Sequence, residues 1–204
     1  MEDLWITIER EYGSGGTAVA RELSEKTGIP CYGREILEEV SKDQGVDIDL
    51  IQNYEETASS PLSYTLFSLS RSSTDTDGSV ELLTQEDKVF IAEQEAIRRL
   101  AAKGPAVFLG HCASEALRNR SKVVKVFIKC SDEDSKYERI QKDYGIAASK
   151  VLTTARRYDK KRANYYRVNT GRRWNDADNY DIILDTARLG VDGCAKVLKG
   201  LYAD

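Results

Sequence analysis

Short, mostly apolar runs punctuate the chain at residues 4–8, 106–109, 123–128 and 180–184. Apolarity that is continuous rather than alternating marks strands buried on both faces, as in a parallel sheet covered by helices. A weaker candidate strand covers residues 29–32. Between these runs the spacing turns helical. Residues 17–27 carry Ala18, Val19, Ala20 and Leu23 and stop at Gly28, a residue suited to a helix C-terminus. Residues 84–103 place Val89, Phe90, Ile97 and Leu100 at helical spacing and halt at Gly104-Pro105. Residues 131–144 open with a cap-like Ser-Asp-Glu-Asp, residues 146–166 are richly charged, and residues 193–201 form a last helix. Strand alternating with helix predicts right-handed βαβ units. From Glu55 to Ser79, Ser and Thr dominate. A connection that long is either a functional lid or insert, or plain disorder.

Composition narrows the class. The 204 residues suffice for one α/β domain with a substantial core, and 41% of them are apolar, as in ordinary soluble proteins. A net charge of −4 argues against a general nucleic-acid or anionic-membrane binder, so any basic site must be local. Cys31, Cys112, Cys130 and Cys194 form no C-x-x-C pair and suit packing as small reduced hydrophobes. His111 is the only histidine, which excludes a multi-histidine metal site. The opening Met-Glu-Asp-Leu-Trp lacks a signal-peptide pattern, and no apolar run approaches the roughly 20 residues that span a bilayer. The cytoplasm is the expected location.

Two segments carry candidate chemistry. The first strand runs into Glu9-Arg10-Glu11-Tyr12-Gly13-Ser14-Gly15-Gly16-Thr17, and a helix follows. Strand, glycine-rich turn and helix is the order in which backbone N–H groups converge on phosphate oxygens. Against G-x-x-x-x-G-K-[ST], Gly15 and Thr17 match literally, while Arg10 stands at the first glycine and Gly16 at the lysine. Thr17 is placed to touch a magnesium ion. A tight turn without function is the rival account of the loop. The second segment, residues 156–173, holds eight basic residues against one acid, Asp159. A solvated helix mixes signs at i,i+4 spacing, and this one does not, so it calls for an anionic partner or for acidic neighbours elsewhere in the fold. Asp159, Arg162 and Tyr166 share one helical face. A nucleic-acid helix is the rival account there, given Tyr158, Tyr165 and Tyr166 among the basic residues.

Five ordered blocks resemble the cytidylate-kinase-like proteins. They are Ile6-Thr-Ile-Glu-Arg-Glu-Tyr-Gly-Ser-Gly-Gly16, Gly28-Ile-Pro-Cys-Tyr-Gly-Arg-Glu-Ile-Leu37, Val107-Phe-Leu-Gly-His-Cys-Ala113, Tyr158-Asp-Lys-Lys-Arg-Ala-Asn-Tyr-Tyr166 and Asn179-Tyr-Asp-Ile-Ile-Leu-Asp-Thr186. The resemblance implies a P-loop nucleoside monophosphate kinase fold, a five-stranded parallel sheet flanked by helices. It also implies a single domain over residues 1–204. Its core would be 1–54, 80–157 and 177–204, with a nucleotide-binding insert at about 55–79 and a basic lid at about 158–176. The implied reaction moves the γ-phosphoryl group of ATP to CMP or dCMP with Mg²⁺.

By the same resemblance, Gly13, Ser14, Gly15, Gly16 and Thr17 hold the donor phosphates, and Asp185-Thr186 lies near the donor base. Tyr32, Arg34, His111, Asp159 and Arg162 face the acceptor nucleotide. Phosphoryl transfer asks for positioning and positive charge rather than covalent chemistry, so Arg10, Arg156, Arg162 and Arg167 are the catalytic candidates. Arg10, inside the loop, is the first candidate to replace the missing lysine; a surface pair with Glu9 or Glu11 is the alternative. His111 and Cys112 replace an arginine and an aspartate of true cytidylate kinases, and Ala155 replaces an arginine. A nucleotide-binding protein with little or no transfer activity therefore stands as the alternative function.

Overall fold

The computed structural model describes residues 4–51 and 84–202, and the segment 55–79 expected to form a lid or insert lies outside them. Five strands form one parallel sheet: β1 (Trp5–Arg10), β2 (Cys31–Tyr32), β3 (Ala106–Leu109), β4 (Val123–Lys129) and β5 (Ile182–Asp185). Their order is β2-β3-β1-β4-β5, with Ile6 facing Val107 on one side and Val124 on the other. The helices are α1 (Gly16–Thr27), α2 (Arg34–Gln44), α3 (Gln85–Ala102), α4 (Ala113–Ala116), α5 (Glu133–Tyr144), α6 (Ala148–Thr170) and α7 (Thr186–Lys199).

Side chains part alternately along β1. Trp5 joins a core with Phe108, Ile36 and Leu37 of α2 and Ile97 of α3. Ile6 and Ile8 join Val19 and Leu23 of α1 and Cys194 and Leu198 of α7 on the opposite face. Both faces are covered, which is why the strand sequences show no polar alternation. β1 is central, and the chain leaves its carboxyl end for the glycine loop. In open α/β sheets that is the edge where ligands bind.

Several boundaries differ from the sequence expectations. α2 was not anticipated: its buried stripe is only Ile36, Leu37 and Val40 among charged residues. α7 begins at Thr186, well before residue 193, and bends at Gly190, whose φ of 66° leaves the helical region. α6 ends at Thr170 before Gly171, one turn beyond the expected end at residue 166.

The start of α3 offers a local test. Thr84 accepts from the Asp87 N–H at 3.2 Å, and the Asp87 carboxylate accepts from the Thr84 N–H at 3.0 Å, a reciprocal capping box. Thr84→Ala should lower unfolding free energy by about 1 kcal/mol. The midpoint should fall by about 2–4 °C in a scanning calorimeter. No shift would mean that the cap is not formed in solution.

Candidate active site

The glycine loop has the backbone of an anion cradle. Gly13 and Gly15 take φ values of 74° and 81°, which any other L-residue would adopt only with strain. Gly15 is the N-cap of α1, with no side chain capping it. Gly16 and Thr17 open the first turn of α1, where a helix leaves its leading amides without an intrahelical acceptor. Two groups fix the loop from outside. The Arg139 guanidinium of α5 donates to the Gly13 carbonyl at 2.6 Å, and the buried Thr186 hydroxyl donates to the Ser14 carbonyl at 2.6 Å.

Beside the loop, a cavity of about 530 Å³ opens at the carboxyl ends of the strands. Glu9 and Arg10 reach it from β1, Gly33 from the turn after β2, and Leu109 to Cys112 from β3. Thr17 and Arg21 of α1, Arg34 of α2, and Lys161 and Arg162 of α6 also line it. Five cationic side chains thus meet two carboxylates, Glu9 and Glu35, around one cavity. That excess suits a polyanion. Cys31 lines it too, but burial pushes its thiol up to about 11, which leaves it unreactive at neutral pH.

One wall rests on a buried carboxylate. Glu93 of α3 has no exposed surface, accepts from the Tyr165 hydroxyl of α6, and lies 3.4 Å from Nδ1 of His111. The turn that presents His111 is conformationally costly. Gly110, His111 and Cys112 are left-handed in succession, with φ values of 81°, 57° and 49°. Gln94 holds that turn by donating to the His111 carbonyl at 3.0 Å. Three elements therefore converge on Glu93 and aim the imidazole at the cavity.

The basic helix is fastened to the loop by two bonds. The Asp159 carboxylate accepts from the Tyr12 N–H at 2.6 Å and lies 3.7 Å from the Lys136 ammonium. Burial raises its pKa above the usual aspartate value, more than the Tyr12 N–H bond lowers it. Arg162 donates to the Arg10 carbonyl at 2.9 Å and lies over the Tyr12 ring, 5.6 Å from its centre. The tyrosines of the helix point inward. Tyr158 stacks on Tyr12 with centroids 4.6 Å apart, and Tyr166 packs with Phe127 and Trp174. Tyr158, Tyr165 and Tyr166 also border the cavity.

The expected residues fall into two groups. Arg10, Thr17, Arg34, His111 and Arg162 line one cavity. Arg156 and Arg167 are exposed on α6, and Arg167 bonds the Asn164 side chain at 3.3 Å. Tyr32 packs against Phe108 at 5.6 Å between centroids. Asp185 caps α7 by accepting from the Ala187 N–H, and Thr186 pins the Ser14 carbonyl. Glu93, Arg21 and Arg139 were not singled out from the sequence. A signal existed for one of them: Glu93 is an acid set into the apolar stripe of α3, between Phe90 and Ile97.

A model of the cytidylate kinase-like family matches residues 5–188. The chain belongs to that family. This cytidylate kinase-like protein is 26% identical over 198 residues to the cytidylate kinase of Methanopyrus kandleri, which covers 95% of this chain and 90% of that one. It also matches the crystal structure of an uncharacterized protein from Eubacterium ventriosum, at 26% identity and a TM-score of 0.71, over 98% and 99% of the two chains. The shikimate kinase of Bacteroides thetaiotaomicron shares the fold at a TM-score of 0.52 and 12% identity, over 98% of each chain. Family and fold together support a kinase-like phosphotransferase. No helix among the described residues is long and apolar enough to cross a membrane.

Proposed function

We propose that the protein transfers the γ-phosphoryl group of ATP to a nucleoside monophosphate, CMP or dCMP foremost. The reading is carried by one observation. The start of the helix behind the glycine loop, at Thr17, and the cations Arg10, Arg34, Lys161 and Arg162 border a single cavity. Donor and acceptor phosphates repel each other, and transfer needs their charge neutralised while they are held in line.

Magnesium fits this donor set. The ion keeps several waters and takes one or two protein oxygens beside the phosphates. Among the described residues no cluster of three or more His, Cys, Asp or Glu offers a protein-only cage. Thr17 would hold the ion, which would neutralise charge between the phosphates. Arg34 and Arg162 would grip and orient the acceptor, and His111 would meet it from the strained turn after β3.

A second reading is a nucleotide-binding protein of the same fold with little transfer. Gly16 at the lysine position favours it, as does the engagement of the Asp159 carboxylate by the Tyr12 amide. Melting curves with each nucleoside monophosphate, followed by transfer assays with labelled ATP, separate the two. A ligand at a hundred times its Kd adds about 2.7 kcal/mol of stability. That is a rise of about 5–10 °C for a chain of this size. The kinase reading expects such a rise with CMP or dCMP and label in the matching diphosphate. Shifts without transfer would leave the binding-protein reading standing.

A further inference from the structure

We infer that Arg10 performs the phosphate-bridging task of the absent P-loop lysine, and that position 16 is a glycine because the Arg10 side chain passes over it. The inference rests on the phosphotransferase reading and assigns a residue within that site. The decisive observation is one missing Cβ atom, and a second locates the guanidinium. A Cβ built on Gly16 would lie 2.5 Å from Cβ and 2.9 Å from Cγ of Arg10, and 3.3 Å from Cβ of Ile128. A Cβ built on Gly110 would lie 2.3 Å from Nη1 of the same arginine. The stem of Arg10 therefore fills the space through which a side chain at position 16 would leave its backbone. Its guanidinium ends against the carboxyl end of β3, in the cavity wall.

Gly16 is informative because its conformation is ordinary. It is the first residue of α1 and has no positive φ, unlike Gly13 and Gly15. A helical backbone accepts any residue, so the requirement for glycine here is spatial. A lysine at 16 and an arginine at 10 exclude each other, and this chain has taken the arginine.

The two acids that flank Arg10 in sequence also hold other groups. Glu9 accepts from the Trp174 indole at 3.2 Å, and Glu11 accepts from the Cys130 N–H and pairs with Lys136, both at 3.1 Å. Arg162 bonds the Arg10 carbonyl, which ties the strand end to the basic helix. During transfer the bond from the γ-phosphorus to the β-phosphate oxygen breaks and one to the acceptor oxygen forms. The guanidinium stays protonated throughout, donating N–H bonds to phosphate oxygens as charge moves between them.

The test is ATP affinity by titration calorimetry on the full chain, with transfer rate as a second readout. Arg10→Met should weaken ATP binding about ten- to a hundredfold, and lower kcat by about a hundredfold or more. If Arg10→Met melts far below the parent, Arg10→Lys, which keeps the stem and the charge, reports the same quantity and should retain part of the affinity. Gly16→Lys alone should bind ATP no better than the parent, because its Cβ has no room. Arg10→Gly with Gly16→Lys clears that space and should recover at least about tenfold over Arg10→Gly alone. A parent protein that binds ATP while Arg10→Met binds it equally well overturns the inference. So does a double variant that melts like the parent and recovers nothing. A parent with no affinity for ATP would instead remove the phosphotransferase reading on which the inference stands.

Discussion

Glu93→Ala is expected to lower the unfolding free energy by about 3–5 kcal/mol, the cost of removing one member of a buried charged network. Glu95→Ala, two residues along the same helix, should change it by less than about 0.5 kcal/mol. The contrast follows from position. Glu95 is exposed, whereas Glu93 has no exposed surface and holds the Tyr165 hydroxyl and the His111 imidazole. Truncation leaves both partners facing a void and opens a gap between α3, α6 and the turn after β3. It also frees the imidazole from its anchor. On the proposed assignment of Arg34 and Arg162 to the acceptor, acceptor KM should rise more than ATP KM, since His111 lines the same cavity. Urea unfolding of the two variants checks the first part, and initial rates check the second. Equal destabilisation by both substitutions would show that Glu93 is merely another helix acid.

Arg162→Lys should lower kcat/KM by about ten- to a hundredfold, the worth of one or two charge-assisted bonds. Thermal stability should stay nearly unchanged. The planar fork of Arg162 bonds the Arg10 carbonyl with one nitrogen, lies over the Tyr12 ring, and still borders the cavity. A lysine ammonium cannot hold a backbone carbonyl and present a two-point grip to a phosphate together. Arg157→Lys is the control. Arg157 is exposed, and its guanidinium stacks 5.2 Å from the Tyr158 ring centre. It should cost less than about threefold, within the small coupling energies of surface charges. Equal losses at the two positions would mean that the helix supplies only diffuse positive charge.

How much of this was legible beforehand depended on the range of the contact. β1, β3 and β4 were readable because a doubly covered strand writes its burial as consecutive residues. The glycine loop was readable because its left-handed turns leave glycine as their mark. α2 was missed because a half-buried helix among charged residues leaves only Ile36, Leu37 and Val40 as a trace. Asp159, Arg162 and Tyr166 were correctly placed on one helix, but their partners lie far away in sequence. Asp159 meets the amide of Tyr12, Arg162 the carbonyl of Arg10, and Tyr166 shares a cluster with Phe90 and Phe127. Helical spacing says which side chains stand together, and nothing about what stands opposite them. The exclusion between Arg10 and Gly16 was likewise invisible, since five loop residues return the chain upon itself.

The two tryptophans sit at opposite ends of β1. Trp5 donates its indole N–H to the Ala101 and Gly104 carbonyls, remote from the cavity, while Trp174 donates to the Glu9 carboxylate, which lines it. The molecule therefore contains its own optical probe. With Trp5 replaced by Phe, emission comes from one indole whose hydrogen-bond partner is a wall of the site. An anion or metal ion that draws the Glu9 carboxylate away alters that indole's surroundings directly. Its wavelength and quenching can then follow occupancy in real time, without a label, even for ligands that undergo no turnover.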